Sequence, residues 1–239
     1  MEFTFYRGIT TTINKAESTL RNIKQDGLSG NEGNWKLEIP DVSDVRQRLN
    51  NILSSEKPSA DDIFKDTPFK GICACGDENG ALYYALCHNK SDNNSVSIII
   101  KFIADLDNIY IDSRDFLCTV FQLWDRETTT LKEKQLLILE RLYGNGIDKY
   151  FSKCISTTDQ QVRIAMGNLA AFDPEIIKDH YNNKKTIAGR YNTHFCSAFF
   201  VKAPIAASSI LKCEITNKTF STPKVYINIG DFYKGTFND

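Results

Sequence analysis

The stretch of sequence that decides our prediction of the fold runs from residue 194 to residue 205 and reads His194-Phe195-Cys196-Ser197-Ala198-Phe199-Phe200-Val201-Lys202-Ala203-Pro204-Ile205. Its apolar run, Phe199-Phe200-Val201, is continuous instead of alternating, which is typical of a strand that is buried on both faces. A proline cannot donate to a neighbouring strand, so Pro204 marks a turn after the strand. We therefore predict a buried strand over residues 195–202.

The composition is that of an ordinary globular chain. Its 239 residues are 41% hydrophobic and 25% charged, with a formal net charge of −1. No Pro/Gly/Ser-rich linker interrupts them, so we predict a single domain over residues 1–239. No apolar run approaches the ~18 residues that a membrane span needs. The near-zero net charge leaves a nucleic-acid substrate open, because a local basic groove is compatible with it.

Seven cysteines are scattered through the chain, at positions 73, 75, 87, 118, 154, 196 and 213. They lack the spacing of a zinc site, and Cys73-Ala74-Cys75 is too tight for a Cys-x2-Cys knuckle, so we predict no bound metal. Residues 1–5 lack the basic and apolar regions of a secretory signal. These features predict buried, reduced thiols in a cytoplasmic protein with no membrane association.

The first third of the chain opens with a strand and a helix. Residues 2–9 alternate in polarity and predict a strand, and residues 13–25 predict a helix that Gly27 ends. Residues 29–68 are polar and rich in Gly, Asn, Asp and Ser, with one helical stretch near 43–54. We predict that residues 29–68 form an excursion over the surface.

The rest of the chain alternates short strands with groups of helices. A short strand and a helix that begins near Glu78 are predicted within residues 69–87. Further strands are predicted at 95–103, 108–112, 195–202, 210–215 and 224–229, and further helices at 114–124, 130–143, 159–171 and 174–181. This pattern predicts an α+β fold.

Four short motifs follow one another in a recognisable order. The first is Arg7-Gly8 at the end of the opening strand, with a helix that ends in Asp26-Gly27-Leu28. The others are Gly80-Ala81-Leu82-Tyr83-Tyr84-Ala85 opening a helix, an Ile-rich strand leading to Ile111-Asp112, and Phe199-Phe200-Val201-Lys202-Ala203-Pro204-Ile205 followed by Ile210-Leu211.

The order of these motifs resembles the ADP-ribosyltransferase superfamily, particularly bacterial mono-ADP-ribosyltransferase toxins of toxin–antitoxin and phage-defence systems. The resemblance spans about residues 3–215. It implies an ADP-ribosyltransferase-like core, which is a split, mixed or antiparallel sheet with flanking helices. It also implies that NAD is the substrate and that no metal takes part.

The resemblance assigns roles to residues that match the family's motifs. Arg7 would grip the ribose or the diphosphate of NAD with its planar fork of donors, and Gly8 would let the backbone approach the nicotinamide amide. Tyr84 would stack on the nicotinamide ring, with Tyr83 as the second choice. The alternatives are a strand-end arginine before a turn glycine and tyrosines packed in the core. Cys73-Ala74-Cys75 stands where the family often has Tyr or Ser, so the ribose contacts and the subclass stay open.

Ala198 occupies the position at which the family carries its catalytic glutamate. A carboxylate there would bind the ribose 2′-hydroxyl, stabilise a cationic transition state and accept a proton from the acceptor. Alanine can do none of this, and Glu214 and Asp173 are too far along the sequence to replace it. Two explanations are open: substitution of a natural glutamate that inactivates a toxin, which the otherwise intact Arg–Tyr framework favours, and a natural pseudoenzyme.

The loop before the apolar strand contains four residues that we predict to bind the acceptor, Lys184, Lys185, Arg190 and Tyr191. Basic and aromatic residues together suit single-stranded RNA or DNA, whose phosphates and bases they can hold; a solvated basic loop is the alternative. The expected function is transfer of ADP-ribose from NAD to a nucleic acid, with an antitoxin protein as a partner. Alternatives are a protein side chain as the acceptor, a non-catalytic NAD- or partner-binding module of the same fold, and an unrelated α+β domain that does not bind NAD.

Overall fold

A computed structural model describes residues 1–32, 36–88, 94–114, 116–122, 129–189, 194–195 and 197–236. Within these residues the strands are β1 (Glu2–Thr12), β2 (Leu37–Ile39), β3 (Phe69–Cys75), β4 (Ser95–Asp105), β5 (Ile109–Ile111), β6 (Ile187–Ala188), β7 (His194–Phe195), β8 (Ala198–Lys202), β9 (Ile210–Ile215) and β10 (Ile227–Asn228). The helices are α1 (Ile13–Asp26), α2 (Val42–Ser54), α3 (Ala60–Phe64), α4 (Glu78–Tyr83), α5 (Leu117–Gln122), α6 (Thr129–Tyr143), α7 (Asp148–Ile155), α8 (Gln160–Ala170), α9 (Pro174–Asn183) and α10 (Ile229–Lys234).

The main sheet has seven strands in the order β5-β8-β3-β1-β4-β9, and β2 also pairs with β3. Its pairs are antiparallel. A smaller sheet has the order β10-β6-β7, with one parallel and one antiparallel pair. The predicted α+β fold class is therefore confirmed. Among the described residues, no helix is both long and apolar enough to cross a membrane.

The apolar run of the opening stretch forms a strand inside the main sheet, and Phe199, Phe200 and Val201 are all buried. The predicted range of 195–202 is wrong at its start. β7 pairs with β6 in the smaller sheet, whereas β8 begins at Ala198, between β3 and β5. The chain therefore changes sheets just before Ala198.

The first strand is longer than its sequence predicts. Arg7-Gly8 does not close it, because β4 pairs with β1 along its whole length, from Glu2 to Thr12. Helix α1 then follows directly, and Gly27 ends it as predicted, with a φ of 78° and its N–H bonded to a carbonyl of the last turn.

The main sheet is split between β1 and β3. Of these two strands, Tyr6 and Cys75 form the described pair. The other end of the same edge of β3 is occupied by β2, with Leu37 opposite Gly71. Because β2 takes part of this edge, β1 and β3 separate just after Tyr6, which is where Arg7 lies.

Residues 37–64 contribute buried side chains to the core, which corrects the prediction of a surface excursion over 29–68. Arg46 fixes helix α2 by donating to the carbonyls of Phe172 (3.0 Å), Leu106 (2.9 Å) and Ile109 (2.8 Å). The polar composition concealed one apolar face, because residues three or four apart share a helix side. The buried residues of this segment include Ile39, Val42, Val45, Leu49, Ile52 and Ile63.

The C-terminal half contains elements that the sequence pattern did not predict. Helices α7 and α10 were missed, and the predicted strand over 224–229 is reduced to Ile227–Asn228. The predicted helices at 130–143, 159–171 and 174–181 are confirmed to within two residues as α6, α8 and α9.

His180 on α9 makes the stability of the fold dependent on pH. Its ring is 1% exposed and stacks on Tyr143 at 4.7 Å, and its Nδ1 lies 2.9 Å from the carbonyl of Leu142. Burial lowers the pKa of His180 from 6.5 to about 4. The unfolded imidazole binds a proton below pH 6.5, whereas the folded one stays neutral down to about pH 4, so acid favours the unfolded state.

We expect the free energy of unfolding to fall by about 3 kcal/mol between pH 7 and pH 4 because of this histidine alone. His180→Gln, which can still donate to Leu142 but does not titrate, should lose that part of the pH dependence. Urea unfolding of both proteins across this range measures it. Parallel pH profiles for the two proteins would contradict the assignment.

Candidate functional site

The side chain of Arg7 fills the split between β1 and β3. Its guanidinium donates to the carbonyl of Cys73 at 3.0 Å and to the carbonyl of Glu32 at 2.7 Å. Its Nε is buried and has no hydrogen-bond partner among the described residues. Burial lowers the pKa of Arg7, and the groups that oppose this include the Glu32 carboxylate. Arg7 is therefore a half-buried cation whose buried Nε–H is unused.

The Glu32 carboxylate offers Arg7 only partial compensation. Its oxygens accept hydrogen bonds from the backbone N–H and hydroxyl of Ser29, at 2.8 and 2.6 Å, and from the N–H of Gly30 at 3.0 Å. Burial alone would raise the pKa of Glu32, but these hydrogen bonds hold it below its ordinary value. Because Arg7 bonds to the backbone of Glu32 and not to this carboxylate, an anionic ligand would complete its environment.

Gly8 lies directly beneath helix α4. A Cβ at Gly8 would stand 1.9 Å from the carbonyl oxygen of Ala81 and 2.9 Å from Cβ of Ala85. Two residues further along the strand, the hydroxyl of Thr10 donates to the carbonyl of Ala85 at 2.9 Å. Glycine is thus required here by the approach of the helix that carries the two predicted tyrosines.

Tyr83 and Tyr84 stand where α4 changes into a π-helix that covers Tyr84–His88. Their rings meet edge to face at 5.7 Å, and Tyr83 also packs on Phe220 at 5.2 Å. This second contact gives Tyr83 a packing role. Single π-turns of this kind occur frequently at functional sites.

Ala198 lies in a row of residues across three neighbouring strands. Cys75 is opposite Tyr6 on one side and opposite Ala198 on the other. Ser197, immediately before Ala198, is 1% exposed, and its hydroxyl has no hydrogen-bond partner in the described part of the chain. Two orphaned polar atoms, Arg7 Nε and Ser197 Oγ, therefore belong to residues adjacent to this row.

Cys73 on β3 interacts with charged side chains through both its carbonyl and its thiol. Its carbonyl accepts from Arg7, and its thiol is influenced by Asp112, Arg7 and Arg114. Burial is the main reason that the pKa of Cys73 rises to about 11, and the charge of Asp112 raises it further. The thiol is therefore protonated at neutral pH and is not a nucleophile.

The second part of the first motif and the end of the last motif meet just after β8. Leu28 and Ile205 exchange both backbone hydrogen bonds, at 2.9 and 2.8 Å. A Cβ at Gly27 would stand 1.9 Å from the carbonyl oxygen of Ile205. The Asp26-Gly27-Leu28 segment is thus held against Ala203-Pro204-Ile205, which lies 177 residues further along the chain.

The predicted acceptor-binding residues are only partly described. Lys184 ends α9 in a left-handed conformation and is exposed, with its Nζ 4.0 Å from the centre of the Tyr181 ring. Lys185 follows it and is half-buried. Tyr181 itself is partly buried and packs against the core, and its hydroxyl bonds to the backbone of Thr4. Arg190 and Tyr191 lie outside the described residues.

The residue that the sequence did not reveal is Asp112, whose backbone N–H donates to the carbonyl of Ala198 at 2.8 Å. The motif Ile111-Asp112 was part of the resemblance, but its distance to position 198 could not be read from the sequence.

The six cysteines that the structure describes are free thiols. No group of three metal-ligating side chains lies within the described ranges.

The chain matches no protein-family model, no curated protein and no solved structure. A function for the chain is therefore inferred from its own residues and their geometry.

Proposed function

We propose that the chain has an ADP-ribosyltransferase-like fold and is a toxin of the kind that transfers ADP-ribose from NAD to a nucleic acid, with Ala198 at the position of the catalytic glutamate. The observation that carries this proposal is the convergence of motifs that are far apart in sequence. Arg7 on β1, Cys73-Ala74-Cys75 on β3 and Ala198 on β8 lie on three adjacent strands, and Gly8 touches the helix that leads to Tyr84. The first and last of these positions are separated by 191 residues.

The environment of Arg7 supports NAD as the substrate. A dinucleotide carries two phosphate charges, and a half-buried arginine with an unused Nε–H is suited to bind one of them. Cleavage of the nicotinamide–ribose bond develops positive charge on the ribose, so a carboxylate must stand near it. At position 198 the chain has a methyl group instead, which is the main departure from the family's pattern.

Binding of NAD can be measured by calorimetry on the wild-type chain and on Arg7→Ala. We expect the substitution to weaken binding roughly 10- to 100-fold, because hydrogen bonds to a charged group contribute about 1.5–3 kcal/mol. Arg7→Lys keeps the charge but lacks the planar fork, and should also bind more weakly. Arg21→Ala, which removes an exposed arginine of α1, is the matched control and should bind as the wild type does.

The controls separate loss of the site from loss of the fold. Each variant is checked by thermal melting, and Arg7→Lys provides a folded comparison if Arg7→Ala melts early. Absence of NAD binding to the wild-type chain would remove the proposed function. Equal affinities for wild type, Arg7→Ala and Arg7→Lys would remove Arg7 from the site.

The preference for a nucleic-acid acceptor depends on Lys184, Lys185, Arg190 and Tyr191. Ala198→Glu protein, incubated with labelled NAD and with single-stranded DNA, duplex DNA, RNA or lysate protein, distinguishes the acceptors. We expect label on a single-stranded nucleic acid, because an exposed ring or exocyclic nitrogen must reach the ribose. Label on protein alone would replace this preference with the side-chain alternative, and an antitoxin partner would then have to protect that target.

A second candidate function is a non-catalytic NAD- or partner-binding module of the same fold. The methyl group of Ala198 favours it directly. This alternative predicts the same Arg7-dependent binding of NAD, but no turnover in either the wild-type chain or Ala198→Glu.

A further inference from the structure

A carboxylate stands beside the position at which the catalytic glutamate is missing. Ile111 is paired with Phe199, and the next residue, Asp112, donates its N–H to the carbonyl of Ala198 at 2.8 Å. Asp112 and Ala198 are therefore cross-strand neighbours. Side chains at such positions share one face of the sheet, with Cβ atoms about 5 Å apart.

Contacts around Asp112 support this side-chain direction. Tyr110, two residues earlier, packs on Phe200 at 5.1 Å, and the guanidinium of Arg114 lies 4.6 Å from the centre of the same ring. Side chains two apart on a strand share a face, so Asp112 belongs to the face of Tyr110, Phe200 and Ala198. The charge of Asp112 raises the pKa of the Cys73 thiol and that of Arg7 lowers it, and Arg7 donates to the Cys73 carbonyl at 3.0 Å.

Arg114 holds the Asp112 carboxylate in a fixed orientation. Nε donates to Oδ1 at 2.8 Å and Nη2 donates to Oδ2 at 2.6 Å, which is a bidentate pair. Oδ1 also accepts from the backbone N–H of Arg114 at 3.3 Å, so Oδ2 is the carboxylate oxygen with a lone pair left for one more hydrogen bond. The Asp112 side chain is 12% exposed, whereas that of Arg114 is 48% exposed. The carboxylate is thus largely desolvated and still reachable.

We infer that Asp112 is the catalytic carboxylate of this chain and that Arg114 positions it. This inference rests on the proposed function. In the step concerned, the bond between ribose C1′ and the nicotinamide nitrogen breaks, and its electron pair leaves with nicotinamide. A nucleophilic nitrogen or oxygen of the acceptor, or a water molecule, forms the new bond to C1′ and gives its proton to Asp112. Nothing is oxidised or reduced.

The test measures slow cleavage of labelled NAD by the full wild-type chain and by Asp112→Asn. We expect the asparagine variant to cleave NAD at least ~100-fold more slowly, with an unchanged Kd for NAD. Asp112→Glu keeps a carboxylate that can accept the proton and should therefore retain at least about a tenth of the wild-type rate. Asp107→Asn, a change at an 82% exposed aspartate near β5, is the matched control. Arg114→Lys should lower kcat more than it changes KM.

A pH profile gives a readout that a purely structural role would not produce. The pH–rate profile of Asp112→Asn should differ from that of the wild-type chain, because the substitution removes the proton acceptor. NAD binding without any cleavage by wild type, or equal rates for wild type and Asp112→Asn, would overturn the inference and leave NAD binding intact. Loss of NAD binding in a folded Asp112→Asn would make Asp112 a binding residue and also overturn it. Failure of the wild-type chain to bind NAD would instead overturn the proposed function.

Discussion

Ala198→Glu is expected to raise the rate of NAD cleavage at least ~100-fold above that of the wild-type chain. A carboxylate there would bind the ribose 2′-hydroxyl and stabilise the cationic transition state, and one such electrostatic contact contributes about 10²–10³-fold. The new carboxylate would project from β8 beside Asp112. Two carboxylates this close repel each other, but the guanidinium of Arg114 already bonds to Asp112 and offsets part of that charge. Release of labelled nicotinamide measures the rate.

Ala198→Gln is the matched control, since it has nearly the same shape as glutamate but carries no charge. It should cleave NAD no faster than wild type. The double variant Ala198→Glu/Asp112→Asn shows whether the two carboxylates act independently. A folded Ala198→Glu protein that binds NAD without faster cleavage would remove position 198 from the catalytic site.

Gly8→Ala is expected to lower the free energy of unfolding by about 2–3 kcal/mol, the upper part of the usual cost of overpacking. The added methyl group would meet the backbone of Ala81 at 1.9 Å. A backbone carbonyl cannot rotate away as a side chain can, so α4 must move away from β1. This movement would shift Tyr84 as well and weaken NAD binding. Thermal and urea unfolding measure the stability, and calorimetry measures the binding.

Gly146→Ala controls for the general effect of replacing a glycine. A Cβ at Gly146 would lie 3.4 Å from its nearest neighbour, a side-chain carbon of Ile176, which is an ordinary contact. Its stability should change by less than about 0.5 kcal/mol, as is usual for substitutions away from special features. Equal stabilities of Gly8→Ala and Gly146→Ala would contradict the close packing of α4 on β1 at Gly8.

The sequence predicted local features of the fold better than it predicted which strands pair and which distant residues meet. Phe199-Phe200-Val201 predicted burial on both faces because the residue types alone carry that information. It could not predict that the chain changes sheets before Ala198, since that depends on the pairing of β6 with β7. The apolar face of α2 was missed because polar residues surround it in sequence, and only the folded chain brings Arg46 to three backbone carbonyls.

The candidate site shows the same limit more sharply. Arg7, Gly8, Tyr84 and Ala198 could be selected because each belongs to a short motif. Asp112 could not be assigned beside Ala198, because the two residues are 86 positions apart and meet only through the pairing of β5 with β8. A cross-strand contact of this kind depends on register, which a single sequence does not specify.

The split between β1 and β3 has a consequence for how such a site can be altered. β2 competes with β1 for one edge of β3, and its Leu37 and Ile39 pack so closely on Gly71 that a Cβ there would meet Leu37 Cδ2 at 2.8 Å and Ile39 Cγ2 at 2.6 Å. The three residues of β2 thus hold β1 and β3 apart next to Arg7. The separation of these two strands is therefore set by a segment that contributes no side chain to the row of Tyr6, Cys75 and Ala198. Changes in the length or packing of β2 would change this separation while every residue of the site stayed the same.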